Sequence, residues 1–165
     1  MTYPAQFSRN TGIQLLSLGC SGNCKMQPYF AEVLCDADVD AFIFDAFSNP
    51  DAKMIEERLF PFIEKLQTTH PDIPLIFQKT IRRERRNFDL QHEEYEQAKM
   101  DMAEKLMKEA CKKYKNVYYV DTTNATSYDN NAQVDGVHPD NYGYSLWAKS
   151  IEKPILKILK KYGIK

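Results

Sequence analysis

Four short apolar runs punctuate the chain: IQLLSL from Ile13, AFIFDA from Ala41, IPLIFQ from Ile73 and VYYVD from Val117. Within each, apolar residues follow one another without the alternation of a strand that turns one face to water. Each therefore reads as a strand buried on both faces. The segments between them carry helical patterns: KMQPYFAEVLCDA from Lys25, NPDAKMIEERLFPFIEKLQTTH from Asn49 and a long charged stretch from Asp89 to Tyr114. A last amphipathic stretch, YGYSLWAKSIEKPILKILKKYG, begins at Tyr142. Alternating strands and helices predict βα units, a mainly parallel sheet and helices on both of its faces, an α/β fold in the form of a three-layer α/β/α sandwich.

In such a sheet ligands bind beyond the carboxyl ends of the strands, so chemistry is sought in the segments that follow them. These are GCSGNC after the first run, FSNP after the second, KTIRRERR after the third, and the long stretch from Thr122 to Tyr144 after the fourth. A connection of that length, rich in Asn, Asp and Thr, is the kind that carries function in compact domains.

Composition narrows the classes. A chain of 165 residues with 43% hydrophobic and 12% aromatic residues suits one domain, over residues 1–165, with a real core. Its 22 basic and 23 acidic residues leave a formal charge of -1, which gives no support to a nucleic-acid partner. No apolar stretch is long enough for a membrane span, and the first residues, MTYPAQFSRNTG, lack the pattern of a signal peptide. Cys20, Cys24, Cys35 and Cys111 lack paired CxxC spacing, so no metal site is expected; Cys20 and Cys24 read as small buried residues. They leave the cellular location open.

The most informative motif is DGVHPDNYGY. Asp135 and His138 stand three residues apart around a turn that Gly136 permits, a spacing that lets the carboxylate reach the imidazole and orient it for proton transfer. The alternative is a turn at Asp135 with His138 capping the last helix. In FDAFSNP, Asn49 is a candidate side-chain donor to a developing oxyanion, although taken alone such a residue is more often a helix N-cap, here with Pro50 in the first turn. In SLGCSGNC, Gly22 lets its backbone N–H approach a ligand closely, while Ser21 raises the question of a nucleophile.

Taken together these sites resemble the SGNH/GDSL hydrolase family. LGCSGN looks like that family's second block, FDAFSNP like its third and VDGVHPDNYGY closely like its last, over nearly the whole chain. The resemblance implies a flavodoxin-like sheet and a serine ester hydrolase. It makes Gly22 and Asn49 oxyanion donors and Asp135 and His138 the last two triad members. It further implies acyl transfer without cofactor or metal, with a small-molecule, carbohydrate or lipid acyl ester as substrate.

The first block, which holds the nucleophilic serine at the end of the first, central strand, has no counterpart here. TYPAQFSRN looks instead like the helix that follows it. The chain therefore reads as truncated at its N-terminus relative to the family, and the sheet as lacking a central strand. Such a gap is expected not to stay open: either the neighbouring strands close up, or a second chain, of the same kind or another, fills it. Ser21 is the substitute nucleophile to consider, although GCSGN carries Asn23 where a nucleophile elbow has glycine. The other class open to the chain is a binding module that keeps the pocket without catalysis.

Three further features read as structural. IRRERR, from Ile81 to Arg86, is a solvated loop or a pocket mouth that attracts anions. QHEEYEQAKMDMAEKLMKEACKKYK, from Gln91, is a solvated helix with one buried stripe, its acids early and lysines late as the helix dipole prefers. His70 and His92 lie away from the strand ends and read as surface residues.

Overall fold

A computed structural model describes residues 1–164. Three short parallel strands, β1 (Phe42–Phe44), β2 (Leu75–Gln78) and β3 (Val117–Val120), form a sheet in the order β1-β2-β3. They are the cores of the second, third and fourth apolar runs. Helices α1 (Tyr3–Thr11), α2 (Pro28–Cys35), α3 (Ala52–Thr69), α4 (Leu90–Lys113) and α5 (Asn141–Leu159) complete the α/β architecture. Asp51, Asp89 and Asp140 cap α3, α4 and α5, each carboxylate accepting the backbone N–H three residues on.

Register sorts the strand side chains by face. Phe42, Leu75 and Val117 stand side by side, as do Phe44, Phe77 and Tyr119, and both rows pack with α2, α3 and α4. Ile43, Ile76 and Tyr118 turn the opposite way, toward α1 and α5. Consecutive right-handed crossovers put α3 and α4 on one face, as the strand order requires. On the other face Tyr3 stacks on Trp147 with ring centroids 4.1 Å apart, and the buried Gln78 amide accepts from Trp147 Nε1 at 2.7 Å and donates to the Tyr3 hydroxyl. That amide ties α1 and α5 to the sheet with its polar atoms satisfied.

The first apolar run departs from expectation. Residues 13–18 are extended but form no strand, and Leu16 is 73% exposed. An apolar run becomes a strand only when a neighbour accepts its ladder, and here a cavity of about 900 Å³ separates it from β1. Of the two outcomes expected for the missing central strand, direct pairing of its neighbours does not occur: residues 13–18 form no ladder with β1.

Other assignments also shift. Cys20 and Cys24 are half-buried rather than buried. His70 is partly covered, its Nε2 3.2 Å from the Leu34 carbonyl and its ring edge-on to Phe42, so it fastens the end of α3 to α2. His92 is likewise half-buried. Among the described residues no helix is long and apolar enough to cross a membrane.

Candidate active site

β1 runs out through Asp45 into the loop that carries Asn49. Ser48 Oγ donates to Asp45 Oδ1 at 2.6 Å, and burial pushes the Asp45 carboxyl pKa upward against the pull of Ser48, Arg83 and Lys99. The α3 cap is Asp51, whose Oδ1 accepts from the Met54 N–H at 2.7 Å. Pro50 therefore precedes the cap instead of opening the helix, and Asn49 is not a cap. Asn49 lines the cavity.

Two cations hold this loop. Arg83 Nη2 donates to the Ser48 carbonyl at 2.7 Å and Lys99 Nζ donates to the same oxygen at 3.1 Å, while Glu96 accepts from both side chains at 3.0 and 2.8 Å. Glu96 and Lys99 are buried residues of α4, so that helix is more than a solvated face with an apolar stripe. IRRERR is not a solvated loop either. Glu84 and Arg86 are buried; Glu84 Oε1 accepts from the Ala132 N–H and the Ser127 hydroxyl, and Arg86 is bound by Glu93 and Gln97. The run staples the long loop after β3 to the rest of the molecule.

That loop presents the Asp–His pair. The Val134 N–H donates to the His138 carbonyl and the Asp140 N–H to the Ala132 carbonyl, closing a tight loop whose Gly136 carbonyl accepts from the Arg85 N–H. Gly136 sits at φ +78, and a Cβ there would stand 3.0 Å from Arg85 N, so both conformation and space require glycine. Asp135 Oδ1 accepts from the Val137 and His138 backbone N–H groups at 2.9 and 2.8 Å, and Oδ2 lies 2.7 Å from His138 Nδ1. The turn and the ring contact are thus made by one carboxylate, and the cap of α5 is Asp140, not His138. Hydrogen bonds from the His138 backbone, the His138 ring and the Val137 backbone hold the Asp135 carboxyl well below the usual carboxylate range. With Nδ1 engaged, Nε2 has no protein partner among the described residues, and His138 lines the cavity.

Gly22 reaches the same cavity from the other side. Ser21 and Gly22 both adopt positive φ, +41 and +79, in a turn closed by the Asn23 N–H on the Cys20 carbonyl. Gly22, Asn49 and His138 line one cavity, as does Ser21, whose Oγ makes no hydrogen bond to His138 among the described residues. Burial, first among several causes, pushes the Cys24 thiol up to about 11, which disfavours the thiolate and any nucleophilic use of it.

Arg83, Glu84, Glu96 and Lys99 support this site and escape sequence reasoning. Charged residues in a loop and a helix look solvated until the tertiary structure brings them together; the only local signal is the density of IRRERR directly after a strand.

The sequence model of the GDSL-like lipase/acylhydrolase family matches residues 1–157. Among solved structures, a GDSL-like lipase from Bacteroides ovatus is 37% identical with a TM-score of 0.92, over 96% of this chain and 47% of its own. The salicylyl-acyltransferase SsfX3 from a tetracycline biosynthetic pathway is 20% identical with a TM-score of 0.67, over 96% of this chain and 49% of its own. A carbohydrate esterase of family 3 from Talaromyces cellulolyticus is 14% identical with a TM-score of 0.66, over 98% of this chain and 92% of its own. The last two show likeness of fold, and this chain spans about half the length of the first two. No curated protein matches the chain.

Proposed function

This chain belongs to the GDSL-like lipase/acylhydrolase family, and on that premise we propose that it acts as an ester hydrolase domain in which His138 is the proton carrier. The observation that carries the proposal is the 2.7 Å contact between Asp135 and His138 Nδ1 at a cavity also lined by Gly22 and Asn49.

His138 Nε2 takes the proton of an attacking serine hydroxyl as its oxygen bonds to the ester carbonyl carbon. Asp135 keeps Nδ1 protonated and offsets the charge of the imidazolium. The carbonyl oxygen becomes an oxyanion that the Gly22 N–H and the Asn49 side-chain amide receive. His138 then returns the proton to the departing alkoxide, the alcohol leaves, and water repeats the sequence on the acyl-serine to release the acid. The substrate class is an acyl ester of a small molecule, carbohydrate or lipid, as the family resemblance implies.

The test is hydrolysis of a short-chain nitrophenyl ester by the purified chain and by His138→Ala. Turnover that disappears in the variant is the expected result; equal rates in the two remove the proposal.

A second reading has its own observation. Within residues 1–164 no serine hydroxyl is hydrogen-bonded to His138, as a binding module that keeps the pocket without a nucleophile requires. Labelling by a fluorophosphonate separates the two. Label lost in Ser21→Ala makes Ser21 the nucleophile, and absence of label supports the binding module.

A further inference from the structure

We propose that Cys20 and Cys24 form a redox-modification site, a pair of adjoining thiols that a low-molecular-weight disulfide converts into an intramolecular disulfide spanning the Gly22 turn. Both sulfur atoms are drawn to one oxygen. Cys20 Sγ donates to the Leu18 carbonyl at 3.5 Å and Cys24 Sγ to the same carbonyl at 3.9 Å, which sets the two thiols side by side. The turn between them brings them there: the Asn23 N–H donates to the Cys20 carbonyl at 3.1 Å, with Ser21 and Gly22 at positive φ in the middle. A turn of this kind brings its end Cα atoms within about 7 Å, close to the separation that a disulfide bridges, and Cys24 follows directly on its last residue.

Both cysteines are half-buried, so a small disulfide can reach them. Among the described residues no third His, Cys, Asp or Glu joins them in a metal-binding group, so the pair offers sulfur exchange rather than coordination. The other two cysteines stand apart. Cys35 ends α2 and donates to the Lys65 carbonyl, and Cys111 is an exposed residue of α4.

Burial, and after it the adjoining Cys20 thiol, push the Cys24 thiol up to about 11, so the first attack falls to Cys20. The Cys20 thiolate bonds to one sulfur of the small disulfide and displaces the other as a thiolate. Capping Cys20 ends its hold on the Cys24 proton, and the second attack is intramolecular. The Cys24 thiolate bonds to Cys20 Sγ and expels the second small thiolate. Two cysteines are oxidised, the small disulfide is reduced to two thiols, and the cysteine protons pass to the released thiolates.

The modification stands on the two thiols alone; only its effect on ligand binding rests on the reading of Gly22 as an oxyanion donor. The reduced full chain is incubated with glutathione disulfide, quenched with acid and mapped by mass spectrometry. The expected product is a monomer lighter by two hydrogens, with Cys20 joined to Cys24 and with Cys35 and Cys111 unjoined. Cys24→Ser instead retains glutathione on Cys20, and Cys20→Ser reacts at Cys24 at least about tenfold more slowly than that. Absence of reaction, glutathione that persists on both Cys20 and Cys24, or a bridge from either to Cys35, Cys111 or a second copy overturns the proposal. The oxidised chain is expected to bind a short alkylphosphonate at least about threefold more tightly than the reduced chain, because the turn is fixed before the anion arrives. A Cys20–Cys24 disulfide without that gain upholds the modification site and counts against Gly22 as the donor instead.

Discussion

Arg83 donates from Nη2 to the carbonyl oxygen of Ser48 at 2.7 Å, fastening the loop after β2 to the residue that precedes Asn49. The strength of that link depends on Glu96, which also compensates Lys99; the three side chains are 15%, 1% and 2% exposed. Burial draws the Lys99 pKa downward and Glu96 opposes it, so removing Glu96 leaves two cations without their carboxylate. Glu96→Gln is expected to lower stability by about 3–5 kcal/mol, and Arg83→Met by less because Lys99 and Glu96 remain paired. Urea unfolding of the two variants checks the order.

Asn49 and Asp51 separate function from folding two residues apart. Because Asp51 is the cap, Asp51→Ala is expected to lower stability by about 1 kcal/mol. Asn49→Ala leaves stability within about 0.5 kcal/mol and lowers ester turnover by about 100- to 1,000-fold, the range for loss of one oxyanion donor. Thermal unfolding beside steady-state kinetics on the same samples distinguishes the two outcomes.

How much of this was legible beforehand differs from element to element. β1, β2 and β3 were, because each is a continuous apolar run that finds a ladder. IQLLSL is equally apolar and forms no strand, since a strand is a property of a pair and no sequence pattern within the run records whether its neighbour is there. DGVHPD was legible as an Asp–His turn because three residues and a glycine fix that geometry locally. FSNP is ambiguous between cap and donor within its own sequence, because the cap of α3, Asp51, lies two residues beyond Asn49. The Arg83, Glu96 and Lys99 cluster was not legible at all: its members are 13 and 3 residues apart, and only the packing of α4 against the β1 loop removes them from water.

The acid limb of the site has a defined sign. The Asp135 carboxyl pKa is lower in the folded chain than in the unfolded chain, where it lies near about 3.9. Its contribution to holding the loop is therefore complete above that value and is lost as pH falls through the folded-state pKa. NMR titration of the Asp135 carboxyl carbon is expected to show it still ionised at about pH 3, and a midpoint near about 3.9 contradicts the hydrogen-bond network.

Two glycines respond differently to alanine. A Cβ on Gly143 would lie 2.0 Å from the Ala132 carbonyl oxygen, whereas one on Gly22 meets nothing within 4 Å. Gly143→Ala is expected to lower stability by about 2–3 kcal/mol through forced separation of α5 from the loop. Gly22→Ala lowers it by about 1 kcal/mol, through the positive φ alone. Differential scanning calorimetry of both variants tests the contrast.

In the proposed reaction Gly22 and Asn49 receive the oxyanion of a tetrahedral centre that His138 faces as proton carrier, from the one cavity all three line. NMR titration of the chain with a short alkylphosphonate, a stable tetrahedral anion that needs no nucleophile, addresses this arrangement most directly. The Gly22 backbone amide, the Asn49 side-chain amide and the His138 ring are expected to shift together along one saturation curve. Saturation with Gly22 and Asn49 unmoved, or with shifts confined to Arg82 and Arg85, contradicts the account.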